Sequence, residues 1–433
     1  MKLTAHLGKI TWSLADKVLY VLYGLVQFVQ IKALPADVYG VFALLVALNT
    51  WIMIVSDGSA LAGIIQFGVD AGERKRVNVM ALLIHGIVAG GAGAAIYLLR
   101  DPLIDVFRVP QFGDVATLLP MYLLLTFPRM FCLKIIYRDM RMKELFAADA
   151  IWFGVRTILT FWFIVSNRLN TLSDIVMIDF AGMAASSLAT IFFTRKDLAF
   201  GWSGTISLSR YLRYGVPLAM ATALNSAPRQ LDVYVIAAYF GVGVVGVYNP
   251  AKNLYRFFEQ AFDAVTTLLY PAAVRMYSQQ RYADLQLLIT KAISVTLVPI
   301  IGVVLVLELG LSKLIIPILG EAYAAAVDHF NVLAIAALGM PFILMSSVIA
   351  AMGHSTAIVR YSAVGLLVAG ATLFVVGELG HPLLVGLGLV SNTVVVGILC
   401  TLYVRREIHF PLRALGRVYD DARTALTTWK NKS

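Results

Sequence analysis

Charge is what this chain is short of. Asp, Glu, Lys and Arg make up 14% of its 433 residues, against about 25% in an ordinary soluble domain. Apolar residues reach 60% and mean hydropathy is +0.81, so a soluble fold would have too little polar surface to show water. Cysteine is nearly missing. Cys132 and Cys400 each lie inside an apolar run, which excludes a disulfide framework and makes both read as free, inert thiols. The chain has no Gly-x-x-x-x-Gly-Lys-Ser/Thr loop, no His-Glu-x-x-His and no Cys-x-x-Cys, leaving no signature of a nucleotide, zinc-hydrolase or redox site. No cofactor is expected. Nor is there the ten-residue apolar/polar alternation of a transmembrane barrel; continuous runs such as 293–307 exclude it.

What is present is a series of apolar stretches near the roughly 20 residues a spanning helix needs. The pattern predicts twelve helices, near 9–33, 38–66, 77–99, 115–136, 145–166, 174–194, 214–240, 246–273, 285–307, 327–351, 356–378 and 382–404. With both termini on one side, the loops on that side hold basic clusters, among them Arg74–Lys75–Arg76, Arg138/Arg141/Lys143 and Arg195/Lys196/Arg210/Arg213. The opposite loops hold five basic residues, Lys32, Arg100, Arg108, Arg168 and Lys313. That asymmetry places both termini in the cytoplasm. The net charge of +10 is therefore topological rather than a footprint for nucleic acid. The first apolar run is interrupted by Asp16–Lys17 and does not read as a cleaved signal.

The polar segment 194–215 divides the chain into an N-lobe, 1–199, and a C-lobe, 214–404, joined by a cytoplasmic linker, 200–213. A basic tail, 405–433, is expected to lie against anionic lipid. A shift of 206 residues lays LPADVYGVFALL (34–45) over FGVGVVGVYNPA (240–251), matching Gly40 to Gly246 and, without a gap, Asp57 to Asp263. Six helices after six with the same topology imply a parallel repeat about the membrane normal. The small-residue run GIVAGGAGAA, 86–95, is expected to let helices pack closely. His85 reads as a packed core histidine.

Ionisable groups inside spans each cost about 2.5–3.5 kcal/mol on insertion scales, so each should face protein or water. They occur at Asp16, Lys17, Asp57, Arg129, Arg156, Asp179, Arg229 and Asp232. YNPAKNLYRFFEQAFD adds Lys252, Arg256, Glu259 and Asp263, spaced 4, 3 and 4 on one helix face. One reading is a set of ion pairs, Arg256 with Glu259 and Arg229 with Asp232. The other is the wall of a solvated cavity, with Arg229, Lys252 and Arg256 in one basic patch near mid-depth. Asp57 and Asp263 could bridge the halves at an inner gate, bind a coupling proton or cap backbone.

LPADVYGVFALL with SDGSALAGIIQF (56–67), and YGVPLAM (214–220), QLDVYVIAAYFGVGVVGVYNPAKNL (230–254) and LLYPAAVRMYS (268–278), resemble the Wzx-type oligosaccharide flippases of the MOP superfamily. The resemblance implies an all-α integral membrane protein, two six-helix lobes around a central cavity. It also implies movement of undecaprenyl-diphosphate-linked oligosaccharide to the outer leaflet of the bacterial inner membrane. Its expected partners are that lipid-linked substrate, membrane lipids, and polysaccharide polymerase and assembly proteins. On this reading Arg229, Lys252 and Arg256 bind the diphosphate. Tyr23, Tyr234, Tyr248 and Tyr255 are candidates to stack on sugars, and Asp57, Glu259 and Asp263 to couple protons or latch a gate. A cation or drug exporter of the same superfamily is the rival transporter. A membrane polymerase or ligase would need a larger outer loop than the chain offers.

Overall fold

The structure is a computed structural model and describes residues 7–410; the expected tail from 411 onward lies outside the described residues. The helices, in chain order, are α1 (Leu7–Ala33), α2 (Ala36–Phe67), α3 (Arg74–Leu98), α4 (Arg100–Phe107) and α5 (Phe112–Arg138). Then come α6 (Met142–Val165), α7 (Leu172–Thr194), α8 (Leu208–Ser226), α9 (Pro228–Phe240) and α10 (Val242–Ser278). The last five of eight residues or more are α11 (Tyr282–Glu308), α12 (Ala326–Ala337), α13 (Met340–Ala351), α14 (Ser355–Glu378) and α15 (Leu387–Ile408). Among the described residues eight helices are long and apolar enough to cross a membrane, or nine if the bent pair α12/α13 is one span. The chain is thus a multi-pass membrane protein.

Breaks follow proline. Ala227 precedes Pro228, and a residue before proline avoids the helical region, so the stretch expected as one helix over 214–240 is two, α8 and α9. Pro341 at the start of α13 marks the 43° bend from α12. A second departure carried no sequence signal: α2 contains a π-helical turn at Asp57–Leu61. Such single-turn bulges fit one extra residue into a helix and re-aim the side chains around it.

The chain forms two compact units. The first runs to Ser226 and takes in Gly241–Gly246; the second comprises Ala227–Phe240 and the chain from Val247 on. The lobe boundary expected at 213/214 thus falls inside α8, which stays with the first unit because of close backbone packing. Gly58 in the π turn lies against the backbone of Ala219, Gly215 against that of Ser59, and the Tyr211 hydroxyl donates to Ala60 O at 2.5 Å. Around them Leu61, Ile64, Met80, Phe131 and Ile135 form one core. In the second unit Leu269 and Ala273 of α10 pack with Leu285, Ile289 and Ile293 of α11, and with α13 and α15. Cys132 and Cys400 are buried.

The repeat has a structural signature within the first unit. A methyl group at Gly40 would overlap the carbonyl of Val242, and one at Gly246 would overlap the carbonyl of Ala36. The 206-residue shift exchanges these two contacts, so the crossing is reciprocal. The run 86–95 packs along one edge only: Ala89 and Gly93 are buried against α5, whereas Gly90 and Gly91 meet open space.

The inter-half segment is strapped to the start of α3. Glu73 accepts from Thr205 N and Oγ1, each at 2.6 Å, and from Ile206 N at 3.1 Å. Arg76 donates to the carbonyls of Trp202 and Gly204, and Asn78 to those of Asp197 and Ala199. The Thr205 hydroxyl, then the Thr205 and Ile206 amides, hold the Glu73 carboxyl below its ordinary value. A depressed carboxyl stabilises the strap above the ordinary carboxylate range, and that contribution fades as pH falls through the lowered value. Glu73→Gln should therefore speed amide exchange at Thr205 and Ile206 roughly tenfold at neutral pH, and wild type should approach it on acidification. Unchanged protection in the variant would show that the carboxylate does not hold the strap.

Candidate anion-binding site

Asp232 on α9 organises the site in the second unit. Its Oδ1 accepts from Val233 N at 2.7 Å and from Lys252 Nζ at 2.8 Å; its Oδ2 accepts from the Tyr248 hydroxyl at 2.9 Å. Lys252 also donates to the backbone carbonyl of Arg229, in the first turn after the Pro228 break. Both charges are buried, so the lysine ties α10 to the broken end of α9 and does not present a free cation. Two turns of α10 further on, Arg229 Nε meets Glu259 Oε1 at 3.1 Å, with the arginine half-exposed. The observed pairs are Lys252–Asp232 and Arg229–Glu259, not Arg256–Glu259 and Arg229–Asp232. The reason is the short turn at Gly241, which sets 229–232 level with 252 in the α9/α10 hairpin.

With those pairs formed, one positive charge is left over. Arg256 is half-buried and makes no ion pair among the described residues. Three cations against the two carboxylates Asp232 and Glu259 leave this cluster at +1, and the surplus sits on a planar guanidinium suited to bidentate oxyanions. Asp263 is exposed, also outside any ion pair among the described residues, and about 10 Å along α10 from Arg256 by helix rise.

The tyrosines divide. Tyr248 is fully buried on Asp232, Tyr255 is 2% exposed, and Tyr23 is enclosed between Phe153 and the Arg156 guanidinium. These three rings are used inside the protein; Tyr234 is half-buried. Asp57 meets Lys134 of α5 at 2.8 Å, a partner within its own unit rather than a counterpart in the other half. Asp57 lies in the π turn and Asp263 in regular helix, so the two matched aspartates have different surroundings.

A family model described as polysaccharide biosynthesis protein matches residues 34–328, more than half of the chain. The chain belongs to that family. No curated protein matches it. Its fold is that of MOP-superfamily transporters. An inward-facing multidrug resistance MATE family transporter shares 16% identity at a TM-score of 0.70, over 93% of this chain and 94% of that one. The lipid II flippase MurJ, in an inward closed conformation, shares 13% at 0.74, over 98% and 93%. A MOP transporter from Pyrococcus furiosus, described by the reverse polarity of its binding pocket, shares 16% at 0.55, over 93% and 94%.

In the first unit of this polysaccharide biosynthesis protein the intramembrane arginines Arg129 and Arg156 are paired, whereas Asp16 and Lys17 make no ion pair among the described residues. Arg156 of α6 meets Asp179 of α7 at 2.5 Å. Arg129 of α5 pairs with Asp149 of α6, beside Asp16 of α1, and its Nε donates to Ser186 Oγ at 2.9 Å. His85 is buried, bonded to Ser56 Oγ at 2.5 Å and stacked on Phe127, a packed core histidine. Lys134 and Asp149 were not among the expected residues. Both lie inside the helices expected at 115–136 and 145–166, so the available signal was an ionisable group within a span.

Proposed function

We propose that this family member flips undecaprenyl-diphosphate-linked oligosaccharide from the inner to the outer leaflet of the bacterial cytoplasmic membrane. It would do so by alternating access, with twelve spans, six per half, and both termini in the cytoplasm. The observation that carries the reading is the surplus cation at Arg256, three residues before the Glu259 with which the half-exposed Arg229 pairs. A diphosphate brings two or more negative charges into a medium where unpaired charge is very costly. Two guanidiniums replace lost hydration with charge-assisted hydrogen bonds. A phosphate drawing on Arg229 would compete with Glu259, and a displaced Glu259 is a candidate to take up a proton, linking transport to a proton gradient. Asp57 and Asp263 remain further candidates for coupling or gating.

Arg256→Ala should cut surface glycan export roughly 10- to 100-fold, the range for losing a charged hydrogen bond, at unchanged protein level. Arg256→Lys should retain part of it. Full export by the alanine variant would sink the assignment. The MATE-like fold keeps a second reading open, export of cationic compounds. That reading expects Arg256→Ala to leave resistance to a cationic drug unchanged or raised while glycan export never depended on this protein.

A further inference from the structure

In the second unit most helical hydroxyls are bonded within their own helix. Thr267, Thr290, Thr296, Thr372, Thr393 and Thr401 each donate to the carbonyl four residues back. Thr266 of α10 does not: its hydroxyl oxygen is buried without a hydrogen-bond partner. Among the described residues the hydroxyls of Ser346 and Ser347 on α13 are likewise in no hydrogen bond. Thr266, Ser346 and Ser347 all line one cleft of about 400 Å³, together with Thr267, Tyr270, Ala350 and Ile358. A buried unsatisfied hydroxyl is costly and calls for an explanation.

The lining holds no charged side chain, so the chemistry it fits is neutral and rich in hydroxyls. Tyr270, 45% exposed, adds an aromatic ring to the same lining. The positions also continue the α10 stripe. From Lys252, Arg256, Glu259 and Asp263, steps of 3 and 4 lead to Thr266 and Tyr270 on the same helix face. Thr266 lies about 15 Å along the axis from Arg256, toward the end of α10 that the charge pattern places in the cytoplasm. Charge ends on this face where free hydroxyls begin.

We propose that the α10/α13 cleft binds a neutral saccharide, the sugar end of a substrate whose diphosphate meets Arg256. The saccharide class rests on the cleft, while its attachment to a diphosphate lipid rests on the flippase reading. Ser347→Cys provides the test in the full-length protein in nanodiscs, since both native cysteines are buried. Maleimide labelling is followed with undecaprenyl diphosphate, with the same lipid carrying N-acetylglucosamine, and with a panel of free neutral mono- and disaccharides. The sugar-bearing lipid should slow labelling about tenfold relative to the sugar-free lipid, and free saccharides of the panel should slow it at millimolar concentration. If no saccharide, free or lipid-linked, protects the cysteine, the cleft is not a sugar site. Protection by free saccharide alone supports the cleft and overturns the flippase reading instead. Thr266→Val keeps the shape and removes the unsatisfied hydroxyl, so it should raise the thermal midpoint without ligand and lose part of the saccharide-induced shift. A lower midpoint with an unchanged saccharide shift would count against the proposal.

Discussion

Asp179→Ala should destabilise the first unit by about 3–5 kcal/mol, the usual cost of leaving one member of a buried ion pair alone. Asp179 is 1% exposed and Arg156 6%. The arginine is held between α1, α6 and α7, over Tyr23 at 4.6 Å and Trp152 at 5.2 Å, with Asp179 at 2.5 Å. Without the carboxylate the guanidinium has no counter-ion, and the surrounding rings replace only part of the lost attraction. Replacing both partners, Arg156→Leu with Asp179→Leu, removes two desolvation costs together and should recover most of the loss. Thermal unfolding of the purified variants measures both. A double variant no more stable than Asp179→Ala would mean that the site depends on packing around the arginine rather than on its charge.

Gly246→Ala should be at least as severe, because the added methyl meets backbone rather than a movable side chain. It would overlap the carbonyl oxygen of Ala36, while Gly40→Ala would overlap that of Val242. Overpacking a site that can adjust costs about 1–3 kcal/mol; here two helix backbones must separate, so the upper end or more is expected. The two positions share one crossing, so the double variant should cost much less than the sum of the singles. Gly24→Ala is the control, since nothing lies within 4 Å of the added methyl. Thermal midpoints and membrane yields matching that control at Gly246 would show that the crossing is looser than its geometry.

Local chemistry alone determined that the chain is a series of apolar, membrane-spanning helices. Hydropathy over about 20 residues, proline positions and the side on which lysine and arginine collect are properties of short stretches, legible without neighbours. The 206-residue repeat was legible for the same reason, because Gly40 and Gly246 recur within matched local patterns. The stripe on α10 was visible as a spacing, including its surplus of cations over carboxylates at mid-depth. Which charge answers which was decided by tertiary structure. Lys252 reads from sequence as a free cation equal to Arg256, yet the turn at Gly241 sets it against Asp232 and leaves Arg256 alone. The π turn re-aims Asp57 to Lys134 with no residue announcing it, since that choice depends on how α2 meets α5 and α8. Tyr248 and Tyr255 look like candidate ligand rings until the helices close over them. Pairing and burial are relations between distant segments, and a long-range partner leaves no mark on the local pattern of either one.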